Sequence, residues 1–462
     1  MTKVRNLVEI GTRCSNSAAL LEFLYMTILS KAASEIIVFD DVKPEANAMM
    51  LALYSRSPQS VNVHRERVAK VGADKFMDQY YVGYGHQSIG DCGTTNICFE
   101  NVSMLAAKAV QNNRLYNGQE ASTRYLDMAS QAVLNPLGTH QGAAIQEEWM
   151  RLYRSALDAL VPFLKEKYTM KEDEKPKEYE KAISARAFDI ARAFLPAGCT
   201  TYVGWHSTLR QAWDHVHDML FHPLEEVRSL AEKALAELRE KYPNSFGFER
   251  KKEVDQYYRT ASSVLYYSTE VILKDFSVST ANFSKHTISE QEQRFLTYRP
   301  RKAEVPSFFE KFGTIKFRFY LDFGSFRDIQ RHRSCYQTMP LLTTRLGFHP
   351  WYLESLPDSF RREAERTIAK QGDAISSIQD LAVAQYYTAM GFQVACELVA
   401  SLPSAIYIAE LRSTPAVHPT LRPIAQKMGA ALKELLPYMA LYVNNSPDEW
   451  STIRGKHDIV QK

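Results

Sequence analysis

The chain has 462 residues, enough for two or three ordinary domains, each with its own core. With 45% hydrophobic and 24% charged residues it reads as a soluble globular protein, and a net charge of +3 is too small to draw nucleic acid by bulk electrostatics, so any anion must be held locally. Cys14, Cys92, Cys98, Cys199, Cys335 and Cys396 are scattered without disulfide or metal spacing and read as free thiols in a reducing cytoplasm, and the apolar run Ala18 to Leu29, broken by Glu22, is too short for a membrane.

Pro44 to Leu53 opens a helix on proline at its first turn, where no backbone donor is needed. In the glycine-flanked segment Tyr84 to Asp91, His86 and Ser88 lie close to Asp91, and the histidine there either binds a phosphate or holds the backbone. Thr94 to Phe99 alternates as a strand, and Glu100 to Gln111 carries Val102, Leu105, Ala106, Ala109 and Val110 at helical spacing. The loop Asn112 to Tyr125 then places Arg114 before, and Glu120, Ser122 and Arg124 after, the turn former Asn117-Gly118. If that turn folds the loop back, two planar donor forks meet and a phosphate fits; otherwise the stretch is a solvated helix end.

Gly142 to Leu164 is an amphipathic helix with Pro162 placed to kink its end, and Lys165 to Lys181 reads as a solvated, mixed-charge protrusion. Ala185 to Leu195 resumes a helix that Pro196 stops, and Arg192 near that end either reaches an anion or caps carbonyls. His206, His215, His217 and His222 have ligand chemistry, but on a helix His215 and His217 point apart, which argues against a metal.

Lys241 to Gly247 is the best linker candidate, and a Tyr-rich helical segment follows from Glu253. Thr314 to Leu321 alternates strictly, with Ile315, Phe317, Phe319 and Leu321 on one face. It leads through Gly324 to Gln330 into Arg331-His332-Arg333, a second strand-to-basic-loop unit, which suggests an internal duplication. Register supports it: Arg114 and Arg333 lie 219 positions apart and the His-Pro pairs at His222 and His418 lie 196 apart, so the first copy holds about 23 extra residues, most of them in the charged run.

Both halves resemble the flavin-dependent thymidylate synthases, fused in tandem. The first half does so in His86-Gln87-Ser88, in Glu120-Ala121-Ser122-Thr123-Arg124-Tyr125, in Ala191 to Pro196, in Trp205 and Leu209-Arg210, and in His222 to Arg228. The second half does so in Phe317 to Leu321, Arg331-His332-Arg333 and Leu411-Arg412. The similarity is weak at residues 1 to 75 and 250 to 300.

The resemblance implies an α+β fold in which each repeat, 1–245 and 246–462, is a small antiparallel sheet surrounded by helices. It implies methylation of dUMP to dTMP with FAD as cofactor and with NADPH and methylenetetrahydrofolate as co-substrates, in a homodimer equivalent to the family's tetramer. Carried over, Glu120, Ser122, Arg124, Arg192 and Arg412 match substrate-binding positions. His86, Ser88, Arg114, Arg331, His332 and Arg333 match the region around the cofactor.

The family's Arg-His-Arg and its downstream serine lie in one loop, but here they are divided. The first half keeps Glu-x-Ser-x-Arg-Tyr and replaces the triplet with Asn112-Asn113-Arg114, whereas the second keeps the triplet and has Leu341 and Thr343 where serine and arginine would sit. Met219 stands where an arginine, and Thr208 where an asparagine, would be expected. The pattern predicts a composite site, with its phosphate loop from one half and its flavin triplet from the other. A different flavin-dependent base modification, or a non-catalytic nucleotide binder, are the alternative readings.

Overall fold

In the first half, three antiparallel strands, β1 (Thr94–Ser103), β2 (Asn117–Glu120) and β3 (Thr200–Thr208), make a sheet in the order β1-β3-β2. The computed structural model describes residues 36–71, 87–247, 249–265, 267 and 274–452, so Cys14 and His86 lie outside the described residues. Two compact units are distinguished, residues 1–43 and 44–462. In the first, the described residues 36–43 form no helix or strand. All that follows concerns the second.

Helices α1 (Pro44–Tyr54) and α2 (Val61–Val71) lead in. The strand beginning at Thr94 continues past its expected end to Ser103, and the helix, α3 (Met104–Gln111), starts four residues later than the spacing of Val102 and Leu105 suggests. The cause is a bulge. Glu100 and Asn101 together oppose Tyr202, Asn101 takes a φ of 55°, and the strand resumes its pairing at Val102 before Ser103 caps the helix. Asn117-Gly118, expected as a turn, instead opens β2, which pairs with β3. Glycine is required there because a Cβ at Gly118 would lie 2.0 Å from the Gly204 carbonyl oxygen.

Helix α4 (His140–Lys167) buries Ile145, Trp149, Leu152, Tyr153, Ala156, Leu160 and Leu164 and runs continuously through Pro162. Much of the expected charged protrusion is helical, belonging to the end of α4 and to α5 (Pro176–Ala191), which opens on Pro176. Helices α6 (Leu209–Met219) and α7 (Glu225–Lys241) complete the half. The linker candidate is packed: a helical turn, Pro243–Phe246, buries Phe246, and Glu45 accepts from the Ser245 amide and hydroxyl.

After α8 (Lys252–Leu265), strand β4 (Phe276–Ser279) and α9 (Glu290–Thr297), the second half repeats the plan. Strand β5 (Thr314–Asp322) leads into α10 (Phe323–Ile329), β6 (Cys335–Gln337), α11 (Pro350–Glu354), α12 (Asp358–Ser376) and α13 (Leu381–Ala384). Then come β7 (Gln393–Ser401), α14 (Leu402–Arg412) and α15 (Arg422–Leu435). Its sheet is ordered β4-β5-β7-β6, the first sheet's order with one strand added at an edge. The excess in the first half is mostly helix, since α4 has 28 residues against 19 in α12 and α5 has 16 against 4 in α13. The fold is therefore α+β, two repeats each with a small antiparallel sheet among helices.

Equivalent backbone segments pair reciprocally where the repeats meet. The Ala197 amide donates to Thr388 and the Met390 amide to Leu195, both at 2.9 Å, and the Gly198 amide donates to Tyr386 and the Gly391 amide to Ala193, both at 2.8 Å. Pro196 and Ala389 form a bridge between them. This is the self-complementary pattern of a two-fold interface, here inside one chain. One buried apolar cluster, including Trp149, Phe194, Phe317 and Tyr387, runs through both repeats.

Candidate functional site

Pro196 has no amide hydrogen to extend a helix, so the chain beyond α5 tightens into a 3-10 turn, Arg192–Phe194, and carries the Arg192 side chain into the seam at 2% exposure. Its Nη2 donates to Ser325 Oγ at 2.9 Å, and its guanidinium lies 3.8 Å from Asp322 Oδ2 and 4.0 Å from Asp328 Oδ2. Asp322 caps α10 and accepts from Tyr352 at 2.7 Å and Thr420 at 2.5 Å, so it is fully hydrogen-bonded. Asp328, near the far end of the same helix, accepts no hydrogen bond from any described residue through its carboxylate, and its Oδ2 is buried.

Three more arginines act on that carboxylate. Arg124, past the end of β2, grips Asp189 with Nε at 2.7 Å and Nη2 at 3.2 Å while Nη1 donates to the Ala416 carbonyl at 3.2 Å. Arg412, last residue of α14, donates from Nη2 to the Asp328 carbonyl at 2.7 Å and from Nε to His332 Nε2 at 2.8 Å. Arg331 is exposed, with no hydrogen bond or ion pair to a described residue. Burial pushes the Asp328 carboxyl upward, but Arg192, Arg124, Arg412 and Arg331 outweigh it and hold it below the usual carboxylate range.

Because a guanidinium only donates, His332 Nε2 must be the acceptor and the ring proton sits on Nδ1. Burial and Arg412 push this imidazole down to about 3, so it stays neutral. It lies inside the seam rather than open to a ligand.

A second charged centre lies between α3 and α10. Glu120, its side chain 1% exposed, accepts from Lys108 at 2.8 Å, Arg327 at 2.5 Å and Gln111 at 2.9 Å. Lys108 and Arg327 are the fifth residues of α3 and α10, so the two repeats clasp one carboxylate. Burial pushes Lys108 down to about 8. Burial also raises the Glu120 carboxyl, but Arg327 and Lys108 win and hold it at about 2. Glu120 thus ties the Ser122–Arg124 loop to both helices.

Among the other sequence candidates, Arg333 donates to the Tyr116 carbonyl and, at 2.6 Å, to Asn117 Oδ1, pinning the triplet to the first half. Ser122 is half-buried beside Arg124, whose amide donates to it at 3.3 Å, and Arg114 and Ser88 are exposed. Thr208 caps α6 and donates to Asp91 at 3.3 Å. His215 donates to the Val110 carbonyl and His217 to the Trp213 carbonyl; among the described residues no His, Cys, Asp and Glu side chains group to hold a metal.

The structure therefore gathers Arg124, Arg192, Arg331 and Arg412 from both halves and turns Glu120 and His332 inward. The sequence reading missed the anions: Asp189, Asp322, Asp328, and with them Lys108 and Arg327. Two of them carried a signal, since Asp189 and Asp328 each stand three residues before an arginine of the site, one helical turn away.

Residues 38–244 match a family model described as thymidylate synthase complementing protein. The chain is 24% identical to a UPF0159 protein of Chlamydia pneumoniae over 80% of each chain, and 23% identical to one of Chlamydia muridarum over 81% of each. It is also 23% identical to a UPF0159 protein of Thermoplasma acidophilum, over 80% of this chain and 88% of that one. Alignments of that length span both repeats. No helix among the described residues is long and apolar enough to cross a membrane.

Proposed function

We propose that this chain, whose residues 38–244 match the model of the thymidylate synthase complementing protein family, is a divergent, tandem-repeated member of that family and a flavin enzyme that methylates dUMP to dTMP or carries out a close variant of that reaction. The observation that carries the reading is the meeting of Arg124 and Arg192 from one repeat with Arg331 and Arg412 from the other around Asp328. Planar guanidinium forks in a partly buried seam suit a nucleotide's phosphate and base oxygens.

FAD fits the donor set at the open edge of this seam. Arg331 and Arg114 are exposed guanidinium groups with no hydrogen bond to a described residue, and they would hold the cofactor's phosphates, with the exposed Ser88 hydroxyl of the first repeat as a further donor. When bound, the flavin supplies the hydride, with NADPH as its reductant and methylenetetrahydrofolate as carbon donor. The chain's residues bind and orient. Arg124 and Ser122 take the nucleotide phosphate, Arg192 and Arg412 take its base end, and buried Glu120 fixes the loop that carries Ser122 and Arg124. His332, kept neutral, aims Arg412.

We divide the repeats at 1–245 and 246–462 and assign one such site to each chain, so that two copies would restore four repeats. Purified protein is expected to be yellow and to form dTMP from dUMP, methylenetetrahydrofolate and NADPH. A colourless protein that takes up no FAD and forms no dTMP overturns the reading.

A further inference from the structure

Asp328 is out of place in a site made only for anions. It is a carboxylate ringed by Arg192, Arg124, Arg412 and Arg331, yet it accepts no hydrogen bond from any described residue. The nearest guanidinium nitrogen to its Oδ2, Nη1 of Arg192, stands 4.0 Å away, beyond hydrogen-bond reach. A largely buried acceptor left unmet is costly, and folded proteins supply a partner or keep such a group for a ligand. Oδ2 itself is buried, but the side chain as a whole keeps 18% exposure, and a ligand meets the carboxylate on that open side.

The neighbours specify the ligand's pattern. Arg192 and Arg412 flank Asp328, the first through its guanidinium and the second through its bond to the Asp328 carbonyl. The protein thus presents donor, acceptor, donor. A phosphate brings only acceptors when ionised and would set negative charge against the carboxylate. The complement of this row is acceptor, donor, acceptor, which is the imide edge of a uracil ring: O4, N3–H and O2.

We infer that Asp328 is a specificity-determining residue that reads the base, accepting the N3–H of a uracil-type imide whose two carbonyl oxygens take hydrogen bonds from Arg192 and Arg412. The inference rests on the proposed nucleotide site and adds the residue that reads its base. It also divides the cluster: the phosphate goes to Arg124 and Ser122, away from the carboxylate, and the base goes to Asp328. Cytosine has an acceptor at N3 and an amine at C4, so it would set lone pair against carboxylate and N–H against guanidinium. A site with buried polar groups left unpaired in this way rejects the wrong ligand strongly.

The test is direct titration of the full chain, saturated with FAD, with dUMP, dCMP and N3-methyl-dUMP. Wild type is expected to bind dUMP about a hundredfold more tightly than either of the others. Asp328→Asn, whose amide can turn to offer donor or acceptor, is expected to bring the dUMP to dCMP ratio below about tenfold. Wild type binding dUMP and dCMP alike overturns the inference and leaves the nucleotide site standing, as does an Asp328→Asn ratio equal to that of wild type. Failure of wild type to bind any of the three overturns the nucleotide reading and this inference with it.

Discussion

At one seam site Arg192 faces Asp322 and Asp328, and Arg412 ends the helix beside them; at the two-fold-related site the same positions are Gln385, Ser103, Ala109 and Met219. The equivalences follow the elements. Arg192 and Gln385 each open a 3-10 turn, Asp322 and Ser103 each cap the helix after the first strand, and Met219 and Arg412 each end a helix of 11 residues. The second site is packed without an arginine at these positions: Gln385 accepts from the Leu342 amide, Glu226 accepts from Ser103 and Tyr386, and Tyr267 lies edge-on to His222. At these four positions neither the cations nor the anions have a charged counterpart. A buried carboxylate stranded by the loss of its arginine costs several kcal/mol, so a site of this kind is kept or emptied as a set. Uncharged structure has survived on both sides: His222 and His418 each precede a proline and each accept, through Nδ1, the amide two residues on.

The largest expected effect of a single substitution breaks what the two halves share. Glu120→Gln leaves Lys108 and Arg327 buried without their carboxylate and should cost about 3–5 kcal/mol of stability, read as a lower denaturant midpoint at unchanged slope. A midpoint within error of wild type would falsify the clasp. Next, giving the retained site its counterpart's residue, Arg124→Thr, should weaken dUMP binding about a hundredfold while FAD remains bound; loss of flavin with nucleotide binding intact would reverse the division of labour. Equilibrium dialysis should then find one nucleotide per chain, and two would mean that the Gln385 site still binds.

Acid acts on the fold more gradually. Burial holds His222 and His332 at about 3 and His215 at about 4, against an unfolded value of about 6.5. Below about pH 6.5 the unfolded chain takes up protons that the fold refuses, so stability should fall as pH drops from 6.5 towards 4. The slope should approach about 1.4 kcal/mol per pH unit for each histidine. Thermal melting at pH 7 and pH 5 measures it, and equal melting temperatures would contradict the neutral assignments.

The duplication was legible because its signals are local and periodic: the alternation of Ile315 to Leu321, the basic cluster after it, and the spacing of His222 and His418. The family resemblance picked out Arg124, Arg192 and Arg412, which share a seam although 288 residues separate the first from the last. What remained hidden depends on partners far along the chain. Arg333 looked like a ligand-binding cation but is spent on the Tyr116 carbonyl, and Glu120 looked like part of a phosphate loop but meets Arg327 in the other half. The bulge at Asn101 hid the start of α3, because an extra residue in a strand shifts the apolar period without altering composition.

The reciprocal bonds around Pro196 and Ala389, with a buried core continuous across them, make each repeat the other's subunit. A nick in the connection between Phe246 and Phe276 would yield two fragments that stay associated as an obligate heterodimer. Either fragment made alone would present half of an unmatched core to water and go to aggregates. Covalent fusion thus lets the two sides of this interface differ in sequence, as Arg192 and Gln385 do.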